Sequence, residues 1–204
     1  MRAFRRSRDG YTARLDATER TIVARTVADV AALLGFPVDG PEPASWRHPA
    51  DPRADGGPAV GSLDTHDDDA LPPQDPALMR LLPPASEDQE IAGELRRLSE
   101  ASVRTAKAQR LHAVWHALRA PGEKLVVPLD RAMEWAGALT DVRLVLAERL
   151  GIEDEEDAAR LDRVALAGPD EVSRALATLY LALSWLQESL LEAMLRDLPD
   201  TGAE

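Results

Sequence analysis

Apolar residues return every three or four positions through most of this chain, and that period predicts helices. Ile22, Val23, Val27, Val30 and Leu34 form one such stripe, the signature of a helix with one buried face. Asp16 and Glu19 ahead of it have the D-x-x-E spacing of a capping box, and Gly35 supplies the stop. Upstream, Phe4-Arg5-Arg6, Arg8-Asp9-Gly10 and Tyr11-Thr12-Ala13-Arg14-Leu15 read as strand, turn and strand, a small hairpin with Asp-Gly at its tip.

Further along, Asp75-Pro76 starts a short helical turn from Ala77 to Leu82, which Pro83-Pro84 ends. Ser86 and Gln89 have capping-box spacing and open a helix to about Arg119. Its apolar face changes direction: Ile91, Leu95, Leu98 and Ser102 share one arc, while Leu111, Val114, Trp115 and Leu118 lie roughly opposite. The helix should therefore kink or pass from one packing neighbour to another. Pro121-Gly122 closes it, and the β-prone Leu125-Val126-Val127 could add a strand to the hairpin. Asp130 is the expected cap of a helix ending at Leu150-Gly151. The acidic stretch from Glu153 to Asp157 opens a shorter helix to about Ala167, and Gly168-Pro169-Asp170 starts the last and most apolar one, to about Leu198. The fold class expected is mainly α: a helical bundle with a small N-terminal β-hairpin that a third short strand could join.

Composition divides the 204 residues into zones. Residues 37 to 74 hold eight Pro, four Gly, eight acids and two bases, too little apolar surface to offset the entropy of ordering, so a disordered acidic Pro-rich insertion is expected there. It separates residues 1–36, hairpin and helix, from the 75–204 bundle, and both belong to one domain. Net charge is -12, which argues against a protein that coats nucleic acid or an anionic membrane over its whole surface. The chain has no cysteine, which excludes disulfides, thiolate metal sites and cysteine nucleophiles. No apolar run approaches a membrane span and the Arg-rich start leads into no signal-peptide core, so a cytoplasmic protein is expected.

Candidate chemistry is sparse. His112 and His116 stand one helical turn apart, a spacing that could hold a metal, but no third ligand is spaced to help, and packing or surface roles are the simpler reading. Phosphate-loop, dinucleotide and nucleophile-elbow motifs are missing, so no catalytic residue, metal or cofactor is assigned. More informative is Arg143, which interrupts the stripe Ala132, Ala136, Leu139, Leu146 and Leu150, as Gln187 beside Glu188 interrupts Leu176, Tyr180, Leu183, Leu190 and Met194. An arginine there should be partly buried and paired. Asp141, Arg143, Gln187 and Glu188 are thus candidates for a buried polar network, either setting helix register or lining a pocket. Leu181 and Trp185 lie opposite the main stripe, as in a central helix or a homodimer contact. Two stretches reverse the overall charge: Arg5, Arg6, Arg8 and Arg14, and then Arg96, Arg97, Arg104, Lys107 and Arg110, which project within about 140° on a helix wheel. A solvated face is the default reading of such cations, and these nine are the candidates for the sharper one, contact with an acidic partner or a nucleic-acid backbone.

The motifs Asp75-Pro76-Ala77-Leu78-Met79-Arg80-Leu81-Leu82-Pro83, Glu94-Leu95-Arg96-Arg97-Leu98-Ser99-Glu100 with Lys107, Leu139-Thr140-Asp141-Val142-Arg143-Leu144 to Arg149-Leu150-Gly151, and Tyr180 with Trp185-Leu186-Gln187-Glu188 occur in a telling order. In that order they resemble an actinobacterial domain-of-unknown-function family whose genes commonly lie beside that of the ClpS protease adaptor, and which includes an oxidative stress regulator, AosR. The resemblance spans nearly the whole chain except 37 to 74. It implies a helical, non-enzymatic protein that regulates transcription under stress, with a protein partner such as a sigma factor, or DNA. A role as an adaptor in ClpS-dependent proteolysis is the alternative, and an enzyme comes third. Thr140 stands where the family often has Asn, and the redox-sensing cysteines ascribed to the stress regulator are absent, which puts thiol sensing out of reach here.

Overall fold

The computed structural model describes residues 1–39 and 72–197. Most of the acidic insertion expected at 37 to 74, and the end of the last predicted helix at Leu198, lie outside the described residues. Two strands open the chain, β1 (Arg2–Ser7) and β2 (Gly10–Arg14), with Ser7 paired to Gly10 so that Arg8-Asp9 forms the turn. The tip is therefore one residue earlier than the Asp-Gly reading. Gly10 instead begins β2 with φ +130°, where a Cβ would overlap the Val127 carbonyl oxygen. Only glycine suits both the dihedral and the approach. The third strand, β3 (Lys124–Val127), joins β2 antiparallel, as its β-prone composition suggests. Strand alternation sends Phe4, Tyr11, Ala13, Leu125 and Val127 into the core.

Helix α1 (Ala17–Leu33) starts with the expected capping box: Glu19 N–H donates to Asp16 Oδ1 and Asp16 N–H to Glu19 Oε2, both at 2.8 Å. Val23, Val27, Val30 and Leu34 are buried, but Ile22 is exposed and Arg20 takes an inward position instead. Asp75 caps α2 (Pro76–Leu81). The long helix α3 (Gln89–Arg119) is capped by Asp88, not by Ser86, whose hydroxyl accepts from the Asp88 N–H. After a 3-10 turn at Leu129–Arg131 comes α4 (Ala132–Arg149), which has no side-chain cap; the Asp130 expectation fails because the 3-10 turn itself leads into the helix. Two short helices, α5 (Glu155–Ala159) capped by Asp154 and α6 (Leu161–Ala167), precede α7 (Glu171–Leu195) capped by Asp170.

Central in this arrangement is α4, packed against α7, α2, α3 and α1, while α1 pairs with α3 and the sheet rests on α7 through β1. The Phe4 N–H donates to Ser189 Oγ at 3.0 Å, so an edge-strand amide that would otherwise be orphaned is paired with α7. The main core contains Leu15, Val27, Leu111, Leu139, Leu183 and Leu190; a smaller one gathers Ala147, Ile152, Leu161 and Ala177 under α5 and α6.

The direction change in α3 is resolved without a break in the helix. Its C-terminal half buries Ala108, Leu111, Val114 and Leu118, largely against α1, which fixes the rotation of the whole rod. At 100° per residue this turns Ile91, Leu95 and Leu98 to solvent, and all three are exposed. The inward arc of the N-terminal half carries Arg96, Glu100 and Lys107 beside the Pro83-Pro84 loop, lining a cleft of about 400 Å³. This half of the helix is amphipathic with its polar side facing the protein.

Candidate functional site

Three groups of polar residues were candidates from the sequence, and the fold treats each differently. In the first, Asp141 on α4 is buried and receives both Lys107 and Arg110 from α3: Lys107 Nζ donates to Oδ1 at 2.5 Å and Arg110 Nε to Oδ2 at 2.8 Å, with the Arg110 Nη2 also on Oδ2. Gly137, one turn earlier on α4, makes room for the guanidinium, since a Cβ there would lie 3.0 Å from Arg110 Nη1. Two cations on one buried carboxylate is a strong lock between helices.

Two residues along α4, Arg143 Nη1 donates to Gln187 Oε1 at 2.8 Å and Nη2 to the Tyr180 hydroxyl at 3.3 Å. Its guanidinium carbon lies 5.1 Å from the Tyr180 ring centroid, within cation–π range. Gln187 in turn donates to Thr140 Oγ1 at 2.7 Å and to the Ala136 carbonyl at 3.1 Å. The Arg143–Gln187 pair thus joins α4 to α7. Glu188 is exposed and stands outside this network, because it faces away from α4 one residue past Gln187. Arg143 Nε is buried and finds no hydrogen-bond partner among the described residues.

The cations of α3 form the second group, and internal acids hold them. Besides the Asp141 pair, Arg96 Nη1 lies 3.0 Å from Glu100 Oε2, Arg104 Nη2 2.6 Å from Glu100 Oε1, and Arg97 Nη2 2.6 Å from Glu94 Oε2. Only Arg97 among the five is exposed.

The N-terminal arginines make up the third group, on and beside the sheet. Arg5, Arg8 and Arg14 are exposed and form no ion pair among the described residues, and the same holds for Arg2 and Lys124. The register puts Arg2 opposite Arg14 and Arg14 opposite Lys124, a row of three cations across three strands, with Arg5 beside it opposite Thr12. Like charges directly opposite one another destabilise a sheet, so the row carries a cost that nothing in the described fold relieves. Arg6 differs: its Nε donates to Asp197 at 2.9 Å, and Tyr11 OH donates to the same carboxylate at 3.2 Å. Burial pushes the Tyr11 phenol above its ordinary pKa, and the bond to Asp197 and that carboxylate's charge push it further.

Three residues, Arg2, Lys124 and Arg20, were not weighed as site members from the sequence. Lys124, the first residue of β3, completes the cation row only because that strand pairs with β2, and Arg2 joins it through its pairing with Arg14. Arg20 is buried and donates to the carbonyls of Leu118 at 2.8 Å, Ala117 at 2.7 Å and Ala120 at 2.7 Å. It closes the C-terminus of α3, where a cation meets the negative end of the helix dipole. Its position three residues before Val23, on the edge of the apolar stripe, was the available signal. The two spaced histidines separate: His112 is buried with Nε2 donating to the Phe36 carbonyl at 3.0 Å, while His116 is exposed against the edge of Trp115. Among the described residues no three His, Asp or Glu side chains converge as a metal site, and no helix is long and apolar enough to cross a membrane.

Residues 1–194 match the family described as a domain of unknown function, DUF2017. The chain belongs to that family. No curated protein and no solved structure gives a significant match. The DUF2017 match takes in every strand and the two α4–α7 and α3–α4 polar locks, so hairpin and bundle together make up the family's domain.

Proposed function

We propose that this DUF2017 protein is a regulatory protein that acts by contact rather than catalysis, binding an acidic segment of a protein partner through the outer face of its sheet. The observation that carries the reading is the cation row Arg2–Arg14–Lys124 with Arg5 beside it, unpaired among the described residues, in a chain of net charge -12. Cations held opposite one another without an acid gain most when an anion arrives from outside.

A protein segment is favoured over a duplex. The α3 cations, which would have widened the footprint, are held by Glu94, Glu100 and Asp141. What remains is a row spanning two interstrand spacings, about 10 Å, on a molecule whose remaining charge repels a polyanion. The resemblance to the actinobacterial family of the stress regulator AosR supplies a setting, transcription control by a protein partner in the cytoplasm. The family's gene neighbourhood with ClpS suggests the alternative, a proteolytic adaptor, which would use the same surface. Without cysteine, the regulating signal in this chain is something other than thiol oxidation.

Fluorescence anisotropy tests the reading, with a labelled Asp/Glu-rich peptide and a labelled DNA duplex, each titrated against the full chain and against Arg14→Glu/Lys124→Glu. The expected result is peptide binding that weakens about tenfold or more in the variant, with weaker binding to the duplex. Tighter binding to the duplex, falling steeply with salt, would replace the protein partner by nucleic acid. No affinity for either probe would remove the surface from consideration.

A further inference from the structure

Two apolar surfaces lack a neighbour among the described residues, and one is convex where the other is concave. One is convex: the Ile91, Leu95 and Leu98 stripe on the N-terminal half of α3, with Leu98 77% exposed. The other is concave, an open groove of about 1390 Å³ between α1 and α7, lined by Ile22, Leu179 and Trp185 and by Leu166 and Val172. Leu166 is 85% exposed and Val172 66%. The groove exceeds the roughly 300–1,000 Å³ of small-molecule sites, and a trough between two helices is the shape that accepts a third, read by anchors at i, i+4 and i+7. The stripe has that spacing.

We propose that a second copy of this chain covers both surfaces, the N-terminal half of α3 from each protomer lying in the α1–α7 groove of the other.

The dimensions agree. The stripe from Ile91 to Leu98 covers about 10 Å of helix, and the α7 wall from Val172 to Trp185 extends about 20 Å. Because helix and groove are on the same chain, a two-fold axis makes the contact twice. A standard interface of about 800 Å² per partner then needs about 400 Å² from each surface, to which the three stripe side chains and the polar residues flanking them contribute. One ion pair is available across the contact: Glu90 flanks the stripe and Arg25 stands on the groove wall, which also carries Asp29 and Glu171; Glu90 and Arg25 are exposed, and neither is in an ion pair among the described residues. The orientation of α3 supplies the reason for a partner: its rotation is locked by Leu111, Val114 and the Asp141 pairs, so the stripe cannot turn inward.

Sedimentation equilibrium on the full chain tests this, with Leu98→Asp altering the helix and Leu166→Asp altering the groove. Both positions are largely exposed, and a circular-dichroism melt of each variant checks that the fold is retained; Val172→Asp is the second groove variant should Leu166→Asp melt early. The wild type should be dimeric and each variant monomeric. A monomeric wild type overturns the proposal. So does a Leu98→Asp variant that stays dimeric, where groove meets groove, or a groove variant that stays dimeric, where α3 meets α3.

Discussion

Asp141→Asn should destabilise the protein by about 3 kcal/mol. The carboxylate is 1% exposed and accepts from Lys107 and Arg110, so the amide leaves two cations facing each other with no anion between them. Breaking a buried ion pair from one side costs about 3–5 kcal/mol. Lys107 and Arg110 are 16% and 27% exposed at their side chains and can regain some water, which places the cost at the lower end. For a chain of this size, about 3 kcal/mol corresponds to a fall in Tm of roughly 6–12 °C. Urea and thermal unfolding of the purified chain measure it, the Cm shifting at constant slope. The triple variant Asp141→Leu/Lys107→Met/Arg110→Met separates charge imbalance from packing, and should lie within about 2 kcal/mol of the wild type because it removes the imbalance. An Asn variant within about 0.5 kcal/mol of the wild type would refute the argument. It would mean that the α3 cations are solvated and free for an outside partner.

Arg143→Ala should cost about 1–2 kcal/mol, because Gln187 keeps Thr140 and Ala136 while the Tyr180 hydroxyl loses a donor; Arg160→Ala, which removes only surface pairs with Glu156 and Asp157, should change Tm little. Gly10→Ala should cost about 2 kcal/mol or more, read in the same melts, since it forces both an unfavourable dihedral and an overlap with Val127. At Asp75, burial raises the carboxyl's pKa, but the Ala77 N–H, the Arg149 charge and the Leu78 N–H outweigh it, leaving a value below the ordinary one. Its contribution is therefore complete above the unfolded value near 4 and is lost as pH falls through the depressed folded value. Unfolding free energies of Asp75→Asn and the wild type measured across that acid range should converge as pH drops, and parallel curves would contradict this.

Local chemistry made most of the secondary structure legible. The capping box at Asp16 and Glu19, the Asp-Pro start of α2 and the Asp170 cap depend on residues within one turn, so sequence alone located them. The stripes of α4 and α7 likewise identified Arg143 and Gln187 as inward polar positions, and they do meet. Periodicity reports which residues share a face, but not which way that face points. In α3 the apolar arc of the first half and the basic arc opposite it were both visible in the sequence. Which of them met the protein was decided by Leu111, Val114 and Leu118 docking on α1 and by the pull of Asp141 on Lys107 and Arg110. The cations that looked like a solvated face were thereby turned to internal acids, and the leucines to solvent. Lys124 entered the basic row in the same way, through a strand pairing across more than a hundred residues. Such long-range pairings set the sign and the exposure of a surface, because a helix or strand has no outside until its neighbours are in place.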